Sequence, residues 1–295
     1  MLRTAVIDIG TNSVRMLIAE ENHGEIEVIG TGLITSRLGE GIGTQEFLRD
    51  QAVERTIEAL EEFKKIIGEN SVSRVISAAT SAVRDAANRD TFLMEVKKRI
   101  GWDVRVLSGT EEAEMSYLGA VRGLKKAGIN PVVIDIGGGS TEFIWTGERG
   151  PEYVSVNIGA VRMTERGYTL PDIREMLGEV IGSTKLKEFG GLIGVGGTAT
   201  TLAAINQEMT VYDREKIHGY YLPGKDIKKI LRELEGMSPE QRKKVPGLQP
   251  QRADIIVAGT RILTAVIEGL KIDGITVSET DLMYGLLYRI IEYKM

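Results

Sequence analysis

The sequence predicts an α/β protein made of two duplicated halves that face each other across a cleft. Three observations carry that prediction. The pentapeptide VIDIG occurs at 6–10 and again at 133–137. The halves align at an offset of 127 residues, which sets Asp8 on Asp135 and Ser13 on Ser140. Each copy opens a run of three candidate strands followed by helices and further strands, and a repeat of this length marks duplicated domains.

The elements follow in order. Residues 5–9 are a short, nearly continuous apolar run, as in a strand covered on both faces. Strands follow at 14–19 and 26–34, with His23 and Gly24 marking the turn between them. Val53, Ile57, Leu60, Phe63 and Ile67 recur at spacings of three and four, one face of a helix. A strand at 75–79, a helix at 91–100, a strand at 104–107 and a helix at 111–123 complete the first half. The pattern restarts at Val132, with strands at 132–136, 143–145 and 153–158 and a helix at 172–181. An apolar strand at 192–195 then runs through Gly196, Gly197 and Thr198 into a helix. Helices at 225–234 and 252–270, a strand at 275–277 and a helix at 281–293 close the chain.

Composition removes several function classes. With 295 residues and 42% apolar content, the chain can bury one large core or two ordinary ones. A net charge of −5, without any polybasic arm, argues against nucleic acid as the main partner. The absence of cysteine rules out disulfides, thiolate ligands and a cysteine nucleophile. Asp8 interrupts the N-terminus before a signal h-region could form, and even 253–270 contains Asp254, Arg261 and Glu268, so no membrane span is expected. The chain reads as soluble and cytoplasmic. Neither a GxxxxGK[ST] loop nor a GxGxxG after an opening strand is present. The only histidines are His23 and His218, which leaves little basis for a Ser-His-Asp hydrolase.

The turns carry the chemistry. Glycine-rich turns point several backbone N–H groups in one direction, and such nests bind phosphate. Gly137, Gly138, Gly139, Ser140 and Thr141 form one, in which a side chain at Gly138 would obstruct the amides. Thr11, Asn12 and Ser13 offer the same with side chains in place of glycines. Gly197 and Thr198 make a third, between a strand and a helix N-terminus. An aspartate just before such a nest is a natural ligand, direct or through water, for Mg²⁺ bridging to phosphate. A single glycine-rich turn is more often structural. Two of them with aspartates in register point to one metal–phosphate site shared by both halves.

These segments resemble the Ppx/GppA family of exopolyphosphatases and guanosine pentaphosphate phosphohydrolases, within the wider actin, Hsp70 and sugar kinase fold. AVIDIGTNSVRMLIA at 5–19 and VIDIGGGSTEF at 133–143 match the family's two phosphate loops. ATSAVRDA at 79–86, LSGTEEAEMSYLGA at 107–120, GVGGTATTLAA at 194–204, the His218-Gly219 pair and PGLQPQRADIIVAG at 246–259 fit as well. The resemblance implies two duplicated actin-like, ribonuclease H-like domains: residues 1–120 with the C-terminal helix 281–295, and residues 121–280. It implies that Glu112 is the catalytic base, with Asp135 and Glu142 flanking the metal or attacking water and Asp8 opposite. Asp8, Asp135 and Glu142 would hold Mg²⁺ or another divalent cation. Arg84 would hold phosphate, with contacts from Thr11, Asn12, Ser13, Gly137, Gly138, Gly139, Ser140, Gly197 and Thr198.

The implied reaction is hydrolysis of the terminal phosphoanhydride of inorganic polyphosphate or guanosine pentaphosphate, both of which end in the same bond. Such a step needs an in-line water, a base and positive charge against the phosphoryl oxygens. Glu112 opens a helix directly after a strand, although acids also gather at helix N-termini because of the dipole. Arg15 is the weaker phosphate candidate, since it lies inside the second strand and could point away. Lys185, Lys187, Arg252 and Arg261 could line a polyanion path. The segment at 278–285, SETDLMYG, lacks the arginine–glutamate pair that many relatives carry before the glycine. Two rival readings stand beside the hydrolase: an ATP-using kinase or ATPase of the same fold, and a non-catalytic binder of polyphosphate or alarmone. A homodimer is compatible with either.

Overall fold

The structure, a computed structural model, describes residues 3–22, 25–41, 44, 46–124, 130–147, 150–182 and 189–292. The turn expected at His23 and Gly24, and Lys185 and Lys187, lie outside the described residues.

Each half is built on one sheet. In the first, β1 (Arg3–Ile9), β2 (Val14–Asn22) and β3 (Glu25–Ile34) form an antiparallel meander. Strands β4 (Arg74–Ala79) and β5 (Val104–Val106) extend it in parallel, giving the order β3-β2-β1-β4-β5. In the second, β6 (Val132–Ile136), β7 (Thr141–Gly147) and β8 (Gly150–Val156) repeat the meander. Strands β9 (Leu192–Val195) and β11 (Gly274–Val277) continue it in parallel, and β10 (Tyr221–Pro223) pairs antiparallel with β11 at the edge. The duplicated α/β architecture expected from the repeat is borne out, β1 corresponding to β6.

The helices explain why both VIDIG strands are apolar on both faces. Helices α1 (Asp50–Glu69), α2 (Ser81–Arg84) and α3 (Arg89–Arg99) belong to the first half, and α4 (Gly109–Gly123) follows them. Ala5, Ile7 and Ile9 of β1 pack with Ile57, Leu60 and Phe63 of α1. Val6 faces the other way, against Met115 of α4 and Leu282 and Leu286 of α12 (Leu282–Glu292). In the second half come α5 (Ala160–Glu165), α6 (Leu170–Gly182), α7 (Gly196–Asn206), α8 (Arg214–Ile217), α9 (Gly224–Glu235), α10 (Pro239–Arg242) and α11 (Ile256–Leu270). Val132, Ile134 and Ile136 of β6 join Leu177, Leu202 and Leu263 from α6, α7 and α11, whereas Val133 meets Ala113 and Ala120 of α4. Period-two alternation thus serves two cores in each half rather than one core and solvent.

Helix α4 is therefore wedged between the sheets, giving Met115 to one and Ala113 and Ala120 to the other. Its start is set by a capping box in which the Ser108 hydroxyl accepts from the Glu111 N–H while the Glu111 side chain accepts from the Ser108 N–H. It crosses α12 at backbone contact. A Cβ on Gly285 would lie 1.9 Å from the Met115 carbonyl oxygen, and one on Gly119 would lie 2.0 Å from that of Asp281.

Several boundaries differ from the sequence reading, two of them beside the cleft. The helix expected from 252 begins at Ile256, and Pro250–Arg252 forms a 3-10 turn instead, which turns Arg252 into the cleft. Strand β7 starts at Thr141 rather than 143, because Thr141 and Glu142 extend the ladder opposite Ile136 and Asp135. The four-residue helices α2, α8 and α10 and the strand β10 are too short to show any period. Among the described residues no helix is long and apolar enough to cross a membrane.

Candidate active site

The two repeat loops are the same turn built twice. The Gly10 N–H donates to the Ser13 carbonyl at 3.1 Å, and the Gly137 N–H donates to that of Ser140 at 3.0 Å. Among the described residues the intervening amides of Thr11, Asn12, Gly138 and Gly139 donate to no backbone carbonyl. Both loops, with Asp8 and Asp135, line one cleft of about 480 Å³.

The loops touch across that cleft. A Cβ on Gly138 would lie 2.9 Å from Cβ and Cγ2 of Thr11 and 3.2 Å from Val161 Cγ2. Gly138 is needed for this close approach, and its φ is not in the left-handed region. Thr11 is tied to α2 by a hydroxyl contact of 2.9 Å with Ser81. The glycine loop is anchored from α5, where the amides of Val161 and Arg162 donate to Gly138 O and the Arg162 Nε donates to Gly139 O at 2.8 Å.

Carboxylates converge from both halves. Glu112, in the first turn of α4, lines the cleft and accepts from Arg84 Nη1 at 2.6 Å. Burial pushes Glu112 well above the usual carboxylate range, Glu142 pushes it further, and Arg84 opposes both. Glu142 also sits above its ordinary value through burial, against hydrogen bonds from Ser155 and Ser140. Asp135, held by the Ser116 hydroxyl at 3.1 Å, is pushed up to about 7 by burial and by Glu142. Its neighbour Gly196 takes a φ of +78°, and a Cβ there would stand 2.6 Å from Asp135 Oδ1. Glu111, the neighbour with which Glu112 competes as a helix-end acid, is occupied by the capping box and by Arg105. The dipole explanation therefore accounts for Glu111 and leaves Glu112 free to point into the site.

Of the predicted site residues, the cleft lining brings together Asp8, Thr11, Asn12, Ser13, Glu112, Asp135, Gly137, Gly138, Ser140, Gly197 and Thr198. Arg84, Gly139 and Glu142 stand behind that lining, Arg84 held by Glu112 and the Leu107 carbonyl and Glu142 by Ser155 at 2.7 Å. Arg15, whose direction the sequence left open, lines the cleft but is taken up by carboxylates. It lies opposite Asp8 in the β1–β2 ladder, bonds Asp8 Oδ2 at 2.6 and 2.9 Å, and pairs with Asp281. Arg252 lies over Gly197, where a Cβ would stand 1.9 Å from its Nη1. Burial, with Arg15 nearby, lowers Arg252 to about 10, and among the described residues no carboxylate pairs with it. Arg261 instead pairs with Glu235 and bonds the Tyr168 carbonyl.

Sequence reasoning missed Ser116, Ser155 and Asp281. The first carried a signal, being one helical turn beyond Glu112 and so on its face of α4. The oxygen-only donors suit a hard divalent cation. Arg15 holds Asp8 Oδ2, while Asp8 Oδ1 is buried without a hydrogen-bond partner, and burial outweighs Arg15 and raises the Asp8 pKa. Among the described residues no three acidic or histidine side chains already form a metal cluster, so substrate oxygens would have to complete the shell.

Comparison with known proteins agrees with the two-sheet fold. The profile of the Ppx/GppA phosphatase family matches residues 17–294. Exopolyphosphatase 2 of Mycobacterium tuberculosis is 35% identical over 311 aligned positions, covering 97% of this chain and 98% of that protein. A crystal structure of the Aquifex aeolicus member of the Ppx/GppA family superposes with a TM-score of 0.82 at 33% identity, covering 99% of this chain and 98% of that one. An exopolyphosphatase from Cytophaga hutchinsonii gives a TM-score of 0.90 at 28% identity, with 99% and 98% covered.

Proposed function

Because the chain belongs to the Ppx/GppA phosphatase family, we propose that it hydrolyses the terminal phosphoanhydride bond of inorganic polyphosphate, and that of guanosine pentaphosphate as a second substrate. The observation that carries this reading is Glu112: a buried carboxylate with a raised pKa, fixed by Arg84, in a cleft lined by two duplicated phosphate-type loops.

In this reading the terminal phosphoryl group lies between the loops, its oxygens on the free amides of Thr11, Asn12, Gly138 and Gly139 and on the hydroxyls of Ser13 and Ser140. Gly197 and Thr198, at the α7 N-terminus, and Arg252 take the next phosphates. Glu112 orients a water and accepts its proton as the water oxygen attacks phosphorus. The bridging P–O bond breaks, and the shortened chain leaves as an anion. A raised pKa suits this role, since a base works best when its pKa lies near the working pH. Asp8 and Asp135 would hold Mg²⁺ together with substrate oxygens, Glu142 standing behind them, and the ion would supply positive charge against the phosphoryl oxygens. Residues 1–120 with 281–295 act as one domain and 121–280 as the other, each contributing one loop.

The test is phosphate release from polyphosphate, guanosine pentaphosphate and ATP side by side, with Mg²⁺ and then with EDTA. Release from the first two that EDTA abolishes is expected. Preferential turnover of ATP would replace this reading with that of an ATPase.

A further inference from the structure

The segment SETDLMYG at 278–285 places a charge where the proposed substrate would lie. Asp281 lines the cleft at 3% exposure and is ion-paired with the Arg15 guanidinium. Asp8 takes the other edge of the same guanidinium, through Nε at 2.9 Å and Nη2 at 2.6 Å. Arg15 is thus held between two buried carboxylates, and the three groups carry more negative than positive charge. Burial alone would lower the Arg15 pKa, and Asp281 and Asp8 more than reverse that, so it stays a cation.

The placement of Asp281 is rigid. Its carbonyl accepts from the Gly285 N–H at 3.0 Å and lies against Gly119 of α4, and its Oδ1 accepts from the Met283 N–H at 3.3 Å. It is set by the α4–α12 crossing, not by a loop that could turn aside. Arg15 and Arg252 both line this cleft, so two guanidiniums face it. One has two carboxylates and the other none among the described residues.

We propose that Asp281 sets the affinity of this cleft for polyanions: it holds Arg15 in a carboxylate clamp and leaves Arg252 as the arginine open to the phosphates beyond the reacting one. The inference rests on the polyphosphate reading of the cleft and names a residue that restrains binding there. A clamp of this kind keeps the product chain from being held as tightly as two open arginines would hold it.

The test is Asp281→Asn, which keeps an oxygen to cap α12 and removes the charge, with Asp281→Ser as a second uncharged cap. KM for polyphosphate should fall on the order of five- to tenfold, as expected for removing one charge several ångströms from a phosphate in a partly screened cleft. The inhibition constant of inorganic triphosphate should fall in parallel. Glu235→Gln is the control, because Glu235 stands outside the cleft lining, paired with Arg261 at 2.8 Å. It should leave both constants within about twofold of wild type, as expected for a partly exposed ion pair away from the cleft. An unchanged or raised KM in both Asp281 variants overturns the clamp. So does an equal fall in Glu235→Gln, which would reduce the effect to overall charge. If the wild type releases no phosphate, the functional reading fails by itself, and triphosphate binding measured calorimetrically still decides the role of Asp281.

Discussion

Asp135→Asn should make the metal-free protein more stable, and more so at alkaline pH. Burial and Glu142 move the Asp135 pKa from 3.8 to about 7 in the folded protein. A carboxyl with a raised folded pKa binds its proton more tightly when folded. Its effect is therefore absent well below about pH 4, where both states are protonated, and the native state loses stability as pH rises toward about 7. At ~1.4 kcal/mol per pKa unit the full shift has a ceiling of roughly 4 kcal/mol. Asp135 still touches the cleft, so water and relaxation should leave about half of that, near ~2 kcal/mol. Asparagine keeps an acceptor for Ser116 and cannot ionise. Urea unfolding in EDTA should show the variant ahead of wild type by about 2 kcal/mol near pH 8, shrinking below about 1 kcal/mol near pH 4.5. Added Mg²⁺ should stabilise the wild type more than the variant. A gain of equal size at both pH values, or a loss near pH 8, would refute the argument from burial and Glu142.

Other perturbations separate the roles of neighbouring residues. Glu112→Gln should lower kcat by about 10²–10⁴ while leaving polyphosphate binding intact, whereas Glu111→Gln keeps the capping box and should stay within a few-fold of wild type; steady-state kinetics on both variants decides between catalysis and helix-end electrostatics. Gly138→Val must displace Thr11, only 2.9 Å from the new Cβ, so KM should rise more than the melting temperature falls; unchanged KM in a folded variant would make this loop a simple turn. Gly285→Ala drives a methyl into the Met115 carbonyl, parting α4 from α12 at a cost of about 1–3 kcal/mol or more. Its melting curve should shift accordingly, and kcat should fall as well because Glu112 rides on α4.

The repeat itself was legible because strand and turn chemistry are local. An apolar pentapeptide, an aspartate and a glycine turn dictate the same conformation wherever they occur, and the Gly10 and Gly137 turns prove identical. Glu112 was legible too, through its place at a helix start after a strand together with the family resemblance. The four-residue helices α2, α8 and α10 and the strand β10 were not, for want of a period to read, whereas the equally short β5, β9 and β11 were, each from its apolar residues. The direction of Arg15 was left open because period-two alternation tells which face of a strand a residue takes but not what covers that face. In β2 that face meets Asp281, which follows in sequence only after the whole second half. Arg252 likewise needed the 3-10 turn before α11 to bring it over Gly197. The sequence alone determined the two loops, the strands that carry them and the aspartate at each tip, since these depend on neighbours in the chain. Only the tertiary structure decided which arginine is clamped, which is open and which carboxylate is raised, because charge and burial at a site depend on groups that distant segments bring within a few ångströms.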